Sequence, residues 1–243
     1  MRYVISDIHG CYEEYKQILE KIQFSEEDEL YVLGDAMDRG SEPIKVILDM
    51  MMRPNIFYII GNHDYMMLSV LRKIAVEITE INCDNLTVDD WLNYEDWRLN
   101  GGDVTLQKFS KLSREVQQDI LEYLEEASVY EILKAGKKQF VLVHAGICDF
   151  NEKKDLDEYD FTDFLYWRAD YEKRYYQNEN IYMITGHTPT CEIREDKRFE
   201  VYQGNGHIAI DCGCVYGGNL AAYCIETGEI VYVKSQQNYS EDV

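Results

Sequence analysis

Apolar residues along the chain gather into five short runs rich in β-branched and aromatic side chains, and each run ends in a polar turn. Residues 2–5 lead into Asp7, 30–33 into Gly34-Asp35, 56–60 into Gly61-Asn62-His63, 140–143 into His144 and 182–185 into Gly186-His187. Runs of this length predict buried strands whose carboxyl ends open into polar loops, where open α/β sheets place their sites. Between the first three runs the period changes. Tyr12, Tyr15, Ile18, Leu19 and Ile22 recur at helical spacing, and Pro43 opens a second such segment through Ile44, Ile47, Leu48 and Met51, so a β-α-β-α-β start is predicted. From residue 65 to about 135 the pattern reads almost wholly helical, with a break at Gly101-Gly102 and an N-cap at Ser113. This predicts a helical insertion within a single domain spanning residues 1–243. From His207 onward apolar and polar residues alternate, and Thr227-Gly228-Glu229 predicts a hairpin.

Composition narrows the function classes. With 243 residues, 46% hydrophobic and 29% charged, the chain can bury a substantial core. It has no apolar run of about eighteen residues, and MRYVISDIHG lacks the basic and apolar regions of a secretory leader. The expectation is a cytoplasmic protein with no membrane partner. Seven scattered cysteines, an odd number without a C-x-x-C pair, read as reduced thiols. Cys212 and Cys214, two apart in an apparent strand, read as buried small hydrophobes. The formal charge of −22 repels nucleic-acid polymers, and a phosphorylated substrate needs a local positive centre to override that field. Bound divalent metals and a few arginines would supply it.

Four of the five histidines, His9, His63, His144 and His187, occupy the strand-end loops beside Asp7, Asp35 and Asn62. Turns need no imidazole, whereas His, Asp and Asn together offer nitrogen and oxygen ligands to manganese, iron or zinc. Asp7-Ile8-His9 would put two ligands on one side of an extended segment. Asp35, central in the order of motifs, is the natural bridge between two cations that activate a water. The fifth histidine, His207, reads as structural.

These residues carry a resemblance. Ser6-Asp7-Ile8-His9-Gly10, Gly34-Asp35-Ala36-Met37-Asp38-Arg39-Gly40, Gly61-Asn62-His63-Asp64, His144-Ala145-Gly146 and Gly186-His187-Thr188 match, in order, the five motifs of the serine/threonine phosphoprotein phosphatases. The chain is most similar to the bacterial and phage branch of that family, within the calcineurin-like metallophosphoesterases. The resemblance implies an α/β fold of two mixed β-sheets packed as a sandwich and flanked by helices, with metals at the strand carboxyl ends. It implies that Asp7, His9 and Asp35 hold one divalent metal and Asp35, Asn62, His144 and His187 the other, both manganese or else iron or zinc. It makes His63 the catalytic acid, paired with Asp38, and Arg39, Asn62 and Arg168 the phosphate-binding groups. Two motif positions depart from the pattern: Ser6 stands where glycine is usual, and Asp64, in place of glutamate, reads as an N-cap. Tyr171, Tyr175 and Tyr176 read as aromatics packed on a helix face.

Three functions compete. A protein phosphatase acting on phosphoserine or phosphothreonine, with phosphotyrosine and general aryl phosphates as further substrates, through a hydroxide bridging two metals is favoured by the likeness of Leu99-Asn100-Gly101-Gly102 to phage-type members. A nucleotide hydrolase resembling the symmetrical diadenosine tetraphosphatases is the alternative. A silent binding protein fares worst, because no expected metal ligand is missing. The partner is thus a phosphoprotein or a small phosphoester.

Overall fold

The computed structural model describes residues 1–77 and 87–237. Strands β1 (Arg2–Ser6), β2 (Glu29–Leu33) and β3 (Ile56–Ile59) are parallel neighbours joined by α1 (Tyr12–Lys21) and α2 (Pro43–Met51). Pro43 sits in the first turn of α2, where its fixed φ suits a helix and its missing N–H costs nothing. Side chains alternate along these strands, and both sides are apolar: Val4, Leu33 and Ile59 face one cluster, Ile5, Val32 and Tyr58 another. This is why the strands read as unbroken apolar runs.

The first sheet has the order β10-β9-β1-β2-β3, completed by the antiparallel hairpin of β9 (Asn219–Cys224) and β10 (Ile230–Lys234). The second has the order β4-β5-β6-β8-β7, with β5 (Lys138–Val143), β6 (Ile181–Thr185) and β8 (His207–Ala209) parallel, and β4 (Tyr130–Ala135) and β7 (Tyr202–Gly204) antiparallel at its edges. Val4, Tyr31 and Leu33 of the first sheet meet Phe140, Leu142 and Ile184 of the second in the sandwich core. Helices cover the outer face of the first sheet through Ile18, Ile47, Met50 and Leu71. The outer face of the second sheet is covered by the irregular stretch after β5, through Ile147, Tyr159 and Phe164. No described helix is long and apolar enough to cross a membrane.

The helical layer comprises α3 (Asn62–Glu77), α4 (Val88–Trp97), α5 (Asp103–Phe109) and α6 (Arg114–Glu125). Ser113 caps α6, accepting from Val116 N at 3.4 Å. The expected Gly101-Gly102 break is a kink over Arg98–Gly102, with Gly101 at φ 103°. Residues 78–86, including Cys83, lie outside the described residues. The helical reading ran too far at its end. Tyr130–Ala135 is β4, an edge strand paired with β5; its Glu, Leu, Lys and Ala content suits a helix, and its strand state comes from a partner remote from the local pattern.

Other local expectations change as well. Cys212 and Cys214 are buried as expected, but they lie in the loop after β8, where Gly213 is left-handed. Tyr171, Tyr175 and Tyr176 pack aromatically, Tyr171 and Tyr175 against His207 and Tyr175 and Tyr176 against Phe150, yet no helix carries them. A short α7 (Thr190–Ile193) follows β6.

Candidate active site

Six parallel strands deliver the site from two sheets. β1 leads to Asp7 and His9, β2 to Asp35, Asp38 and Arg39, β3 to Asn62 and His63, β5 to His144, β6 to His187 and β8 to Asp211. The loops bend sharply. Among the described residues ten non-glycine residues have positive φ, and six are Asp7 (49°), His9 (42°), Asp35 (52°), Asp38 (67°), Arg39 (63°) and His187 (63°). Asp7 and His9 are therefore brought to the site by left-handed turns and not by an extended segment.

Among the described residues, two constellations that could hold a metal ion share Asp35: His9, Asp35 and His63, and Asp35, His144 and His187, each with its donor atoms within 4.8 Å of one another. Asp35 Oδ2 lies 3.6 Å from both His9 Nε2 and His144 Nε2. Asn62 Oδ1 lies 2.9 Å from His144 Nε2 and from His187 Nδ1. The remaining nitrogens show which atoms face inward. His9 Nδ1 is 2.8 Å from Met37 O, and His144 Nδ1 is 2.8 Å from Leu33 O. A carbonyl accepts only, so in the imidazole form each Nδ1 carries the proton and each Nε2 turns a lone pair inward. The His144 lone pair then confronts the lone pairs of Asn62 Oδ1, an arrangement that repels itself until a cation sits between them. The donor set fits divalent metals.

Asp7 stands outside both constellations. Its carboxylate accepts from His187 N at 3.0 and 3.2 Å. Burial, followed by the charges of Asp211 and Asp35, pushes its carboxyl well above the usual range. Asp211, given no role by the sequence, is buried on the same side, lines the cleft and is pushed up to about 6, chiefly by burial. Burial also drives His9 well below and His187 down to about 3, the neighbouring Arg39 and His144 respectively adding to the effect. Asp35 feels the same burial penalty, but His144, His63, His9 and His187 outweigh it and hold its carboxyl below the usual range.

The Arg39 guanidinium fills the corner between His9 and His63, donating to His9 Nε2 at 2.9 Å and His63 Nε2 at 2.7 Å. It is the cation facing those lone pairs here. His63 Nδ1 is 3.0 Å from Asp38 Oδ2, so the pair expected of His63 and Asp38 is formed. Arg168 reaches the same cleft at its exposed rim, ion-paired with Glu192. Asp64 is not an N-cap: α3 starts at Asn62, and buried Asp64 Oδ2 accepts from Gly61 N, Asp35 N and Tyr58 OH at 3.0, 2.8 and 2.6 Å, fixing the turn that presents Asp35. Trp97 and Thr105, both fully buried, reach Asp38 from the helical layer. No sequence pattern singled them out. The cleft over these groups measures about 670 Å³.

The family model for calcineurin-like phosphoesterases matches residues 2–191. The chain belongs to that family. It is a metallophosphoesterase, a hydrolase acting on phosphoester bonds. Among similar proteins, bis(5'-nucleosyl)-tetraphosphatase PrpE [asymmetrical] of Bacillus subtilis (strain 168) is 27% identical, covering 98% of this chain and 96% of that protein. A bis(5'-nucleosyl)-tetraphosphatase, symmetrical, of Wigglesworthia glossinidia brevipalpis is 30% identical over 63% of this chain and 47% of its own length. A solved structure described as a candidate diadenosine tetraphosphatase superposes with a TM-score of 0.64 at 18% identity, covering 98% of this chain and 94% of that one. A cold-active protein-tyrosine phosphatase of a psychrophilic Shewanella gives 0.55 at 15%, covering 96% and 77%. At such identities this metallophosphoesterase shares their fold, and no more follows from the superposition.

Proposed function

We propose that this metallophosphoesterase hydrolyses dinucleoside tetraphosphates, cleaving a phosphoanhydride. This reverses the order favoured from sequence, where the protein phosphatase came first. The observation that carries it is the likeness to the Bacillus subtilis tetraphosphatase from end to end, helical layer included, because substrate choice lies in the parts around a shared metal site. The cleft agrees: Arg39 and Arg168 supply positive charge along it, and Pro189, Phe199 and Tyr216 supply an apolar wall suited to a nucleobase.

In this reading the chain is one domain with an inserted helical layer. Asp7, His9 and Asp35 would hold one cation and Asp35, Asn62, His144 and His187 the other, manganese being the expected metal. Bound there, the two cations supply Lewis acidity and lower the pKa of an attacking water. The chain's own groups do the rest. Arg39 and Arg168 grip phosphoryl oxygens with planar guanidinium forks, and Asn62 contributes its amide. An arriving phosphate competes with His9 and His63 for the Arg39 donors. Once released, His63 Nε2 can take up a proton and pass it to the departing oxygen, with Asp38 holding its Nδ1–H.

Initial rates of one manganese-loaded preparation on diadenosine tetraphosphate and on a phosphoserine peptide panel test the proposal. A kcat/KM at least tenfold higher on the dinucleotide is expected. Turnover confined to phosphopeptides would overturn it. The products show where the chain is cut: two nucleoside diphosphates mean symmetrical cleavage, a monophosphate with a triphosphate asymmetrical.

A further inference from the structure

The kink between α4 and α5 sits directly against the acid pair. Trp97, the last residue of α4, donates its indole Nε1–H to Asp38 Oδ2 at 2.8 Å. Thr105, in the first turn of α5, donates its hydroxyl to the other oxygen, Asp38 Oδ1, at 2.6 Å, and the Asp38 amide donates back to Thr105 Oγ1 at 3.0 Å. With His63 Nδ1 on Oδ2, the carboxylate is engaged on both oxygens and cannot rotate without breaking a buried hydrogen bond. Asp38, Trp97 and Thr105 each have 0% exposure, so no water is at hand to replace a lost partner.

The kink itself secures this arrangement. Gly101 at φ 103° turns its carbonyl to accept from Arg39 N at 3.0 Å, and Asn100 O accepts from Arg39 Nε at 3.4 Å. Gly102 lies flat against the Trp97 ring, where a Cβ would come within 2.5 Å of the indole. One short stretch of the helical layer thus holds Asp38, and through it His63, together with the backbone of Arg39.

We infer that Trp97 and Thr105 are positioning residues for the leaving-group acid: they fix the Asp38 carboxylate so that His63 keeps its Nδ1–H on Asp38 and directs Nε2 at the departing oxygen. The inference rests on the acid role given to His63 above. Neither residue is placed to touch substrate or metal. Removing the indole N–H or the hydroxyl loosens the imidazole without emptying the site, so the loss grows with the need of the leaving group for a proton.

The test uses the full-length manganese enzyme with phenyl phosphate and p-nitrophenyl phosphate. Phenol has a pKa of about 10 and departs poorly without a proton, while p-nitrophenolate is stable unprotonated. His63→Asn, Trp97→Phe, Thr105→Val and Thr105→Ser are compared with wild type for kcat on both esters, metal content and melting temperature. The phenyl ester should suffer about a hundredfold with His63→Asn, and about tenfold with Trp97→Phe or Thr105→Val. On the nitrophenyl ester the two positioning variants should lose less than about threefold, with two metals retained. Thr105→Ser keeps the hydroxyl and should return the ratio of the two rates to the wild-type value. Equal losses on both esters for Trp97→Phe and Thr105→Val, beside a selective loss for His63→Asn, would overturn the positioning role and leave the acid role standing. An unselective His63→Asn would overturn both. Should Trp97→Phe not fold, the Thr105 pair decides alone.

Discussion

On one flank of the cleft, Asp38 has its oxygens and its amide engaged by Trp97, Thr105 and His63. On the other flank, Asp7 and Asp211 are also buried, yet they have backbone amides as partners, and burial with the nearby charges of Asp211 and Asp35 raises the proton affinity of Asp7 while burial and Asp35 raise that of Asp211. Both flanks carry buried carboxylates, but the first is satisfied by protein donors, whereas the second keeps unbalanced negative charge that a cation would neutralise in the function proposed above. In the function proposed above, proton handling and metal binding would thus be separable parts of the site, even though Arg39 touches His9 and His63 alike.

The sharpest way to break that separation is at Asp35, which belongs to both constellations. Asp35→Asn should lower kcat/KM on every substrate by about a thousandfold or more and reduce bound metal on elemental analysis. Full metal content in an inactive Asp35→Asn would show that the two constellations do not depend on a shared charge.

Next in size is the apolar wall. Phe199→Ala should raise KM for diadenosine tetraphosphate about tenfold, since base stacking is worth roughly 1–3 kcal/mol, and change p-nitrophenyl phosphate kinetics less than about twofold. Phe199→Leu keeps the packing on Gly213 and Gly218 and should fall between. An unchanged KM in both variants would place the nucleobase elsewhere.

The smallest effect concerns pH in metal-stripped protein. Asp211 is held at about 6 when folded, against about 3.9 for a free aspartate, and Asp7 is shifted the same way. The folded state therefore binds these protons more tightly than the unfolded chain, and their contribution to stability rises as pH falls through 6, while His9 and His187, held below the usual imidazole range, contribute in the opposite sense. Relative to Asp211→Asn, the chelated wild type should gain a few degrees in melting temperature between pH 8 and pH 5.5. An unaltered slope in that variant would assign the effect to the overall charge of −22.

How much of this was written in the sequence follows from where the determining contacts lie. β1 to β3 were legible because both faces of each strand contribute apolar side chains to a core, leaving a local apolar signature. The histidines were legible because strand-end loops seldom need imidazole. β4 was not, since a two-sheet edge is settled by pairing with β5 and its own residues favour a helix. Trp97 and Thr105 were out of reach for a similar reason: Asp38 lies 59 and 67 positions away from them, and on helices an indole or a hydroxyl looks like any other packing residue. Asp211 opens a stretch, through Asn219, that resembles the last strand and turn of the phosphoprotein phosphatases, a likeness that names no role for its carboxylate.

The left-handed backbone at Asp7, His9, Asp35, Asp38, Arg39 and His187 bears on how the protein would respond to directed evolution. Side chains in that region cost about 1–3 kcal/mol each, and glycine avoids most of the cost. A library screened for heat resistance alone should accumulate glycine at Asp7, whose carboxyl is disfavoured by burial and neighbouring charge, trading turnover for robustness, and should spare Asp38, whose loss would strand Trp97, Thr105 and His63. Thermal selection would then serve as a map of the active site, marking the positions where function keeps the fold below its attainable stability.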